Sequence, residues 1–190
     1  MQAPSDEIDV SETPQESIPT KHMLSWARNS TIYRLERKMM TERQLFDAIA
    51  KKARTKFEGI SAEQVQAVAD SAVKFAYEIK ALDDKNFAEM TTRSAVRNGK
   101  SKRIIAQKLS TKGVDKETAL AALDETNDLY AAVVLARKRR FGPFRREETD
   151  EKRKAKELSA FARGGFSFEL CKRVFDMSEE EAEEILYDGA

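Results

Sequence analysis

Three corners written in the same residue types recur along this chain, and they restrict it to packed helices. Gly59-Ile60-Ser61-Ala62-Glu63, Gly113-Val114-Asp115-Lys116-Glu117 and Gly165-Phe166-Ser167-Phe168-Glu169 share one order: Gly, apolar, Ser or Asp, any residue, Glu. A glycine just past a helix end takes the left-handed conformation without the clash a Cβ would bring. The apolar residue after it folds back over the closing turn. Ser or Asp then accepts from the orphan N–H groups of the next helix, and an acid in that first turn complements its dipole. The first two glycines lie 54 positions apart and the last two 52 apart. One such corner means little. Three at a nearly fixed period predict an internal repeat of helical units that bury their faces on one another.

The clearest punctuation lies between Ala81 and Leu123. Asp83 and Asp84 cap a helix, Asn98-Gly99 closes it, Ser101 opens a second, Gly113 stops that one, and Asp115 opens a third. Leu82, Phe87 and Met90 give the first helix its apolar side, Ile104, Ile105 and Leu109 the second, and Ala119, Leu120 and Leu123 the third. Upstream, order is expected from Ser30, which caps a helix through Met39. Thr41 caps a helix with Leu45, Phe46, Ile49 and Ala53 at helical spacing, and Ser61 one with Val65, Val68, Ala69, Ala72, Val73 and Ala76. Downstream, a helix from Asn127 turns Leu129, Tyr130, Val133, Val134 and Ala136 inward, and further helices run over 152–163, 167–175 and 179–187. No segment alternates with the period of two that a half-buried strand requires. The predicted fold is all-α: three tandem three-helix repeats forming an elongated, curved helical solenoid, with an extra C-terminal helix. Its divisions are an acidic disordered tail over 1–25, repeats over 26–80, 81–125 and 126–176, and an acidic helix over 177–190.

The formal net charge of +1 conceals a division. Residues 1–25 hold five acids and one lysine, and residues 176–190 hold seven acids and no base, which leaves +12 on the residues between. A basic body with acidic ends suits a polyanionic partner, and it equally suits solvated helix faces between tails. The N-terminal tail, punctuated by Pro4, Pro14 and Pro19, lacks the apolar content to offset its ordering entropy. His22, the only histidine, falls within it and has no partner there for catalysis or metal binding. The single Cys171 rules out an internal disulfide and suits a reducing cytosol. The longest apolar run, 131–136, falls far short of the roughly 20 residues a membrane helix needs. The N-terminus also lacks the apolar stretch of a secretory signal. The expectation is a cytoplasmic protein, monomeric and without membrane contact.

Two basic groupings stand out. Arg93 and Arg97 share a helix face, with Lys100, Lys102 and Arg103 close behind. Farther on, Arg137, Lys138, Arg139, Arg140, Arg145 and Arg146 place six bases in ten positions, interleaved with Phe141 and Phe144. Such a stretch neutralises phosphates while a ring stacks on an exposed base, or it is a basic linker whose phenylalanines return to the core. Catalytic patterns are missing: no Gly-rich phosphate loop, no Cys/His cluster, no Gly-x-Ser-x-Gly elbow. Helix capping accounts for the Asp83-Asp84 pair. No enzymatic activity, metal or cofactor is expected.

Leu82-Asp83-Asp84 with Phe87-Ala88, then Gly99-x-Ser101-x-Arg103-Ile104, then Leu109 and Lys112-Gly113-Val114, resembles the central block of the RecX family. Arg163-Gly164-Gly165-Phe166-Ser167 resembles the family's C-terminal RGFS element with one added glycine, and Arg37, Thr41 and Gln44-Leu45 resemble its N-terminal block. The resemblance covers about residues 30–176. It departs in the long acidic N-terminal extension, the acidic C-terminal helix, and a threonine where the first block usually has serine. It implies an array of three-helix repeats that binds the groove of RecA–DNA filaments. There the family suppresses ATP hydrolysis and strand exchange, damping recombinational DNA repair and the SOS response. The eleven bases named above are the expected contacts to filament and DNA, with weak, salt-dependent binding of single-stranded DNA. Leu82, Phe87, Ile104, Leu109, Gly113 and Phe166 are expected to pack. Two other classes fit the residues alone: a stand-alone nucleic-acid-binding helical-repeat protein, and an interaction scaffold whose charges only solvate it.

Overall fold

Nearly every helix of this chain starts on a side chain that accepts from its own first turn. The computed structural model describes residues 18–146 and 150–189. These residues hold ten α-helices and no strand: α1 Lys21–Leu35, α2 Glu42–Lys56, α3 Ala62–Glu78, α4 Asp84–Arg97, α5 Lys102–Thr111, α6 Lys116–Leu123, α7 Asp128–Arg139, α8 Glu151–Gly164, α9 Phe168–Asp176 and α10 Glu179–Asp188. A single 3₁₀ turn, Gly142–Phe144, lies between α7 and α8. The chain is an all-α helical-repeat protein that divides into two units, 1–82 and 83–190.

In the first unit, Thr41 and Ser61 form reciprocal capping boxes. Each hydroxyl accepts from the N–H of the residue three on (Gln44 and Gln64, 3.2 Å each), whose side-chain carbonyl accepts the cap's own N–H in return. This satisfies two orphan donors per helix start. Leu45, Ile49 and Ala53 of α2 face Val65, Val68, Ala69, Ala72 and Ala76 of α3, all buried. The helix before them departs from expectation at both ends. α1 begins at Lys21 on a Thr20 cap, not at Ser30, and it stops at Leu35, short of Met39. Residues 21–25, expected in the disordered tail, are helical: Met23, Trp26 and Ala27 recur at helical spacing and pack on the core of α2 and α3. His22 and Trp26 meet the Phe57 ring edge-on, with centroids 5.8 and 5.3 Å away. Residues 1–17 of the expected tail lie outside the described residues.

The second unit contains two clusters that share Val96. One is built by α4–α6 around Ala88, Ala95, Ile105, Leu109, Val114 and Leu123, the other by α7–α10 around Ala132, Val133, Phe161, Phe166 and Val174. Phe161 is fully buried and centres the second cluster, with the rings of Phe175, Phe166 and Phe141 at 5.4, 6.0 and 6.1 Å. Edge and tilted contacts of this kind add to simple burial. Met90 and Leu120, expected inward, are exposed. The buried face of α4 runs through Ala88, Thr92 and Ala95, which leaves Met90 nearly on the opposite side, and that of α6 runs through Ala119 and Leu123, with Leu120 one step off it.

The corners form as the sequence predicts. Gly59, Gly113 and Gly165 have φ of +69°, +84° and +89°. The apolar residue after each of the last two donates back across the turn, Val114 N–H to Leu109 C=O at 3.1 Å and Phe166 N–H to Phe161 C=O at 3.2 Å. Asp115 then accepts from Thr118 N–H at 2.9 Å, and Ser167 from Leu170 N–H at 3.2 Å. The contacts with Thr118 hold the Asp115 carboxyl below the usual carboxylate range.

Replacing Gly113 or Gly165 by Val is expected to lower stability by more than about 1 kcal/mol, since a β-branched residue is strained at these φ values. Gly165→Val should be the worse of the two. A Cβ there would meet the Ser101 hydroxyl and come within 2.5 Å of Ile104 Cγ1. Thermal unfolding followed by circular dichroism measures both, and an unchanged midpoint in both would contradict the corner. The opposite sign is expected at Thr92. Its buried hydroxyl finds no partner among the described residues. Thr92→Val should raise stability by about 1 kcal/mol, because an unpaired buried hydroxyl carries a desolvation penalty of about that size. A lower midpoint in that variant would show that the hydroxyl is paired in solution.

Candidate functional site

α8 buries one side and charges the other. Glu157, Phe161 and Gly164 face inward, whereas Lys152, Lys156, Ala160 and Arg163 follow one another at helical spacing on a second face. That second face is one wall of a groove of about 860 Å³. Lys100, from the turn between α4 and α5, and Leu135, Arg139 and Phe141, from the end of α7, complete it. The groove gathers six bases, Lys100, Arg139, Lys152, Arg153, Lys156 and Arg163, and two acids, Asp150 and Glu157. Both acids are occupied by the fold. Asp150 accepts the Arg153 N–H at 2.7 Å as the cap of α8, and Glu157 is bound by Arg145. The surplus charge facing the groove is positive.

Backbone contacts hold its walls together. Ser101 N–H donates to Gly164 C=O at 3.0 Å, which ties the start of α5 to the end of α8. The Asp128 carboxylate, in the first turn of α7, accepts the Lys102 N–H at 2.7 Å. The α5 N-terminus is thus satisfied from within the protein and offers no ready cradle for an anion. Lys138 Nζ donates to Asn98 Oδ1 at 3.0 Å, pinning the end of α7 beside the α4–α5 turn.

The eleven bases singled out from sequence separate under this geometry. Lys100 and Arg139, from different groupings, come together in the groove. Arg93 pairs with Glu89 one turn earlier, at 3.5 Å on the exposed side of α4, and Arg97 is exposed one turn on. Lys102 Nζ points to the Asp124 carbonyl at 3.4 Å, and Arg103 Nε to the Gly165 carbonyl at 3.5 Å. Arg137 meets Glu183 of α10 at 3.3 Å. Arg140 and Arg146 are exposed, the former with a left-handed φ of +56°. Arg145 is placed differently from the rest. Its side chain is only 20% exposed, its guanidinium binds Glu157 at 2.6 Å, and it lies 5.0 Å over the Phe175 ring. Phe141 and Phe144 pack against the second cluster and are not stacking rings held out in solvent.

Lys152, Arg153, Lys156 and Arg163 are the bases of the groove that the sequence does not mark as contacts, Arg163 entering only through the RGFS-like element. Their signal is present in Lys152-Arg153-Lys154-Ala155-Lys156, whose 152/156 spacing puts two charges on one face. Catalytic chemistry finds little footing. Burial pushes the Cys171 thiol up, which keeps it protonated and a poor nucleophile. Among the described residues no three His, Cys, Asp or Glu side chains gather to hold a metal ion, and no helix is long and apolar enough to cross a membrane. What the groove can do is hold an anionic chain. Lys152 and Arg163 lie about 16 Å apart along α8 at 1.5 Å per residue, long enough for several phosphates of one strand.

Comparison with known proteins places this architecture. Residues 83–123, which span α4–α6, match the family model described as RecX, second three-helix domain. The chain is 66% identical over 171 residues to Regulatory protein RecX of Agrobacterium fabrum, covering 90% of this chain and 93% of that one. It is 33% identical over 165 residues to Regulatory protein RecX of Myxococcus xanthus, covering 83% and 88%. In fold it is similar to the crystal structure of RecX from Lactobacillus salivarius, with a TM-score of 0.59 at 19% identity over 83% of this chain and 97% of that one. Repeated helical corners, a basic groove and two-thirds identity across almost the whole length converge on one assignment: this chain belongs to the RecX family of regulatory proteins.

Proposed function

We propose that this protein regulates the RecA recombinase, mainly as an inhibitor, by binding RecA–DNA filaments and suppressing ATP hydrolysis and strand exchange in recombinational repair and the SOS response. Near-full-length identity of 66% to a regulatory protein RecX carries this reading. The groove between α7 and α8 supports it from physical chemistry. Its six bases stand on rigid elements while its two acids are engaged internally, so it attracts phosphodiester backbone. Each phosphate neutralised there releases counterions, which makes binding strongly salt-dependent. In this reading Lys100, Arg139, Lys152, Lys156 and Arg163 contact DNA within the filament. Arg97, Arg140 and Arg146 add exposed positive charge, whereas Arg93, Lys102, Arg103, Arg137 and Lys138 partly direct their charge to groups of the protein itself. Arg145 acts within the fold. The protein works as a monomer in the cytoplasm, without catalysis of its own. A second reading, stand-alone binding of single-stranded nucleic acid, draws on the same groove and makes the recombinase effect a matter of competition for DNA.

Two measurements separate these. RecA-catalysed ATP hydrolysis on single-stranded DNA should fall as this protein is titrated in, and the inhibition should persist when single-stranded DNA is supplied in large excess. Inhibition that disappears in proportion to added DNA would favour the stand-alone binder. Replacing Lys152, Lys156 and Arg163 together by Ala should weaken single-stranded DNA binding and reduce the log–log salt slope by about 0.7 for each phosphate no longer neutralised. Circular dichroism should be unchanged, since all three side chains lie outside the buried core. A slope equal to that of the unmodified protein would remove the groove from the DNA interface.

A further inference from the structure

Glu157 is a carboxylate sealed in the core, with 1% of its side chain exposed, beneath a groove lined by six bases. A buried charge of this kind is tolerated only when it is well paired, and its partners are unusually informative. Arg145 Nη2 and Nε donate to Glu157 Oε2 at 2.6 and 3.0 Å, and Nε also reaches Oε1 at 3.1 Å. Gly142 N–H donates to Oε2 at 3.4 Å. Arg153 of α8 stands 3.7 Å from Oε1. One side chain thus gathers the connection that leaves α7 and fastens it to α8.

That connection has a demanding backbone. Arg140 occupies the left-handed region at φ +56° although it carries a Cβ, and Gly142, two residues on, has φ +54°. A Cβ on Gly142 would stand 3.1 Å from the Val174 carbonyl, so the chain passes against α9 with no slack. Between these two positions sits Phe141, which lines the groove together with Arg139. Non-glycine residues stay in such conformations only where their surroundings over-determine them. Phe141 N–H donates to Ala136 C=O at 2.9 Å and so ties this stretch to α7, whereas the Gly142 N–H bond and the grip on Arg145 tie it to α8.

We propose that Glu157 is a positioning residue for the anion groove: by holding Gly142 and Arg145 it fixes residues 140–145, where the chain leaves α7, and so sets where Arg139 and Phe141 stand opposite α8. This rests on the reading of the groove as a site for a phosphodiester strand. It carries a counterintuitive sign. Removing an acid from beneath a basic groove raises its net charge and, by simple electrostatics, strengthens anion binding. Positioning gives the opposite result.

The test compares Glu157→Gln with the double variant Arg145→Met/Glu157→Met, which leaves net charge unchanged and replaces a buried ion pair by apolar side chains that such sites often accept. Binding of a fluorescein-labelled oligothymidylate is followed against salt, well below the melting temperature, alongside amide exchange of residues 139–144. Both variants are expected to bind several-fold more weakly, with faster exchange in the connection and a salt slope smaller by about 0.7, the amount one phosphate contributes. Tighter or unchanged binding by Glu157→Gln beside weaker binding by the double variant would mean that Arg145 touches DNA directly, and would overturn the proposal. Unchanged slopes in both would reduce Glu157 to a stabilising role and overturn it as well. If Glu157→Gln does not fold, the double variant decides: a smaller slope with faster exchange supports positioning, and a smaller slope with unchanged exchange refutes it. The Lys152/Lys156/Arg163 variant is run in parallel. If its slope matches the unmodified protein, the groove reading has failed; if its slope falls while the Glu157 variants stay put, only the role of Glu157 has failed.

Discussion

The second unit depends on a contact with no room in it. At the third corner the backbone of Gly165 lies so close to the first turn of α5 that a Cβ would strike Ser101 and Ile104, and Gly164 C=O accepts the Ser101 N–H at 3.0 Å. The end of α8 therefore closes onto the start of α5, although 62 residues separate Gly165 from Arg103, its neighbour in that turn. Two helix termini solve each other's problem: an orphan carbonyl at a C-terminus meets an orphan N–H at an N-terminus. Burying such a junction without these partners would leave unpaired backbone groups, each destabilising by an amount comparable to a missing hydrogen bond. Two of the blocks whose residues resemble RecX motifs, around Ser101 and around Gly165, are the two halves of this one contact.

That closure also explains how charge comes to be concentrated where it is. With α8 tied to α5 at one end and to the α7 connection through Glu157 at its middle, its apolar stripe faces Phe161's cluster, and the opposite stripe has only solvent and the groove. Lysine and arginine at 152, 156 and 163 are then easily accommodated: their charged heads stay hydrated while they stand on a rigid element. Like charges on one face repel, which is a modest penalty in water and becomes an advantage only when a polyanion arrives. The acids nearby do structural work, Asp150 at a helix start and Glu157 in the core, and the six bases of the groove outnumber them.

Much of the fold is legible in the sequence because its signals are local. A cap acts on the next three residues and a corner glycine on the preceding turn, so Thr41, Ser61, Ser101, Asp115, Asn127, Ser167 and Ser178 can be assigned without knowing what packs on what. The start of α1 is not legible in this way. Composition marks residues 1–20 as acidic and proline-rich but sets no sharp end to the tail, and the Thr20 cap becomes meaningful only with the packing of Met23, Trp26 and Ala27 on the core, which holds residues 21–25 in the helix. Met90 misleads because it follows the partly buried Phe87 by three positions although the buried face of α4 lies nearly opposite it, and Leu120 because it stands one step past Ala119 on a narrow alanine-rich face.

The candidate site is less legible, and Arg145 and Arg163 show why. In sequence Arg145 belongs to the densest basic run of the chain, whereas Arg163 reads as one charge at a helix end. Long-range pairing decides otherwise. Glu157, twelve residues beyond Arg145, takes that arginine inward, while the groove turns Arg163 out beside Lys100, 63 residues earlier. A count of positive charge finds the right region but cannot distinguish a cation that faces solvent from one neutralised by a buried carboxylate. Buried acids are therefore the missing half of any reading of a basic surface: each one removes a specific neighbour from the set available to a phosphate, and each fixes the backbone that carries the others.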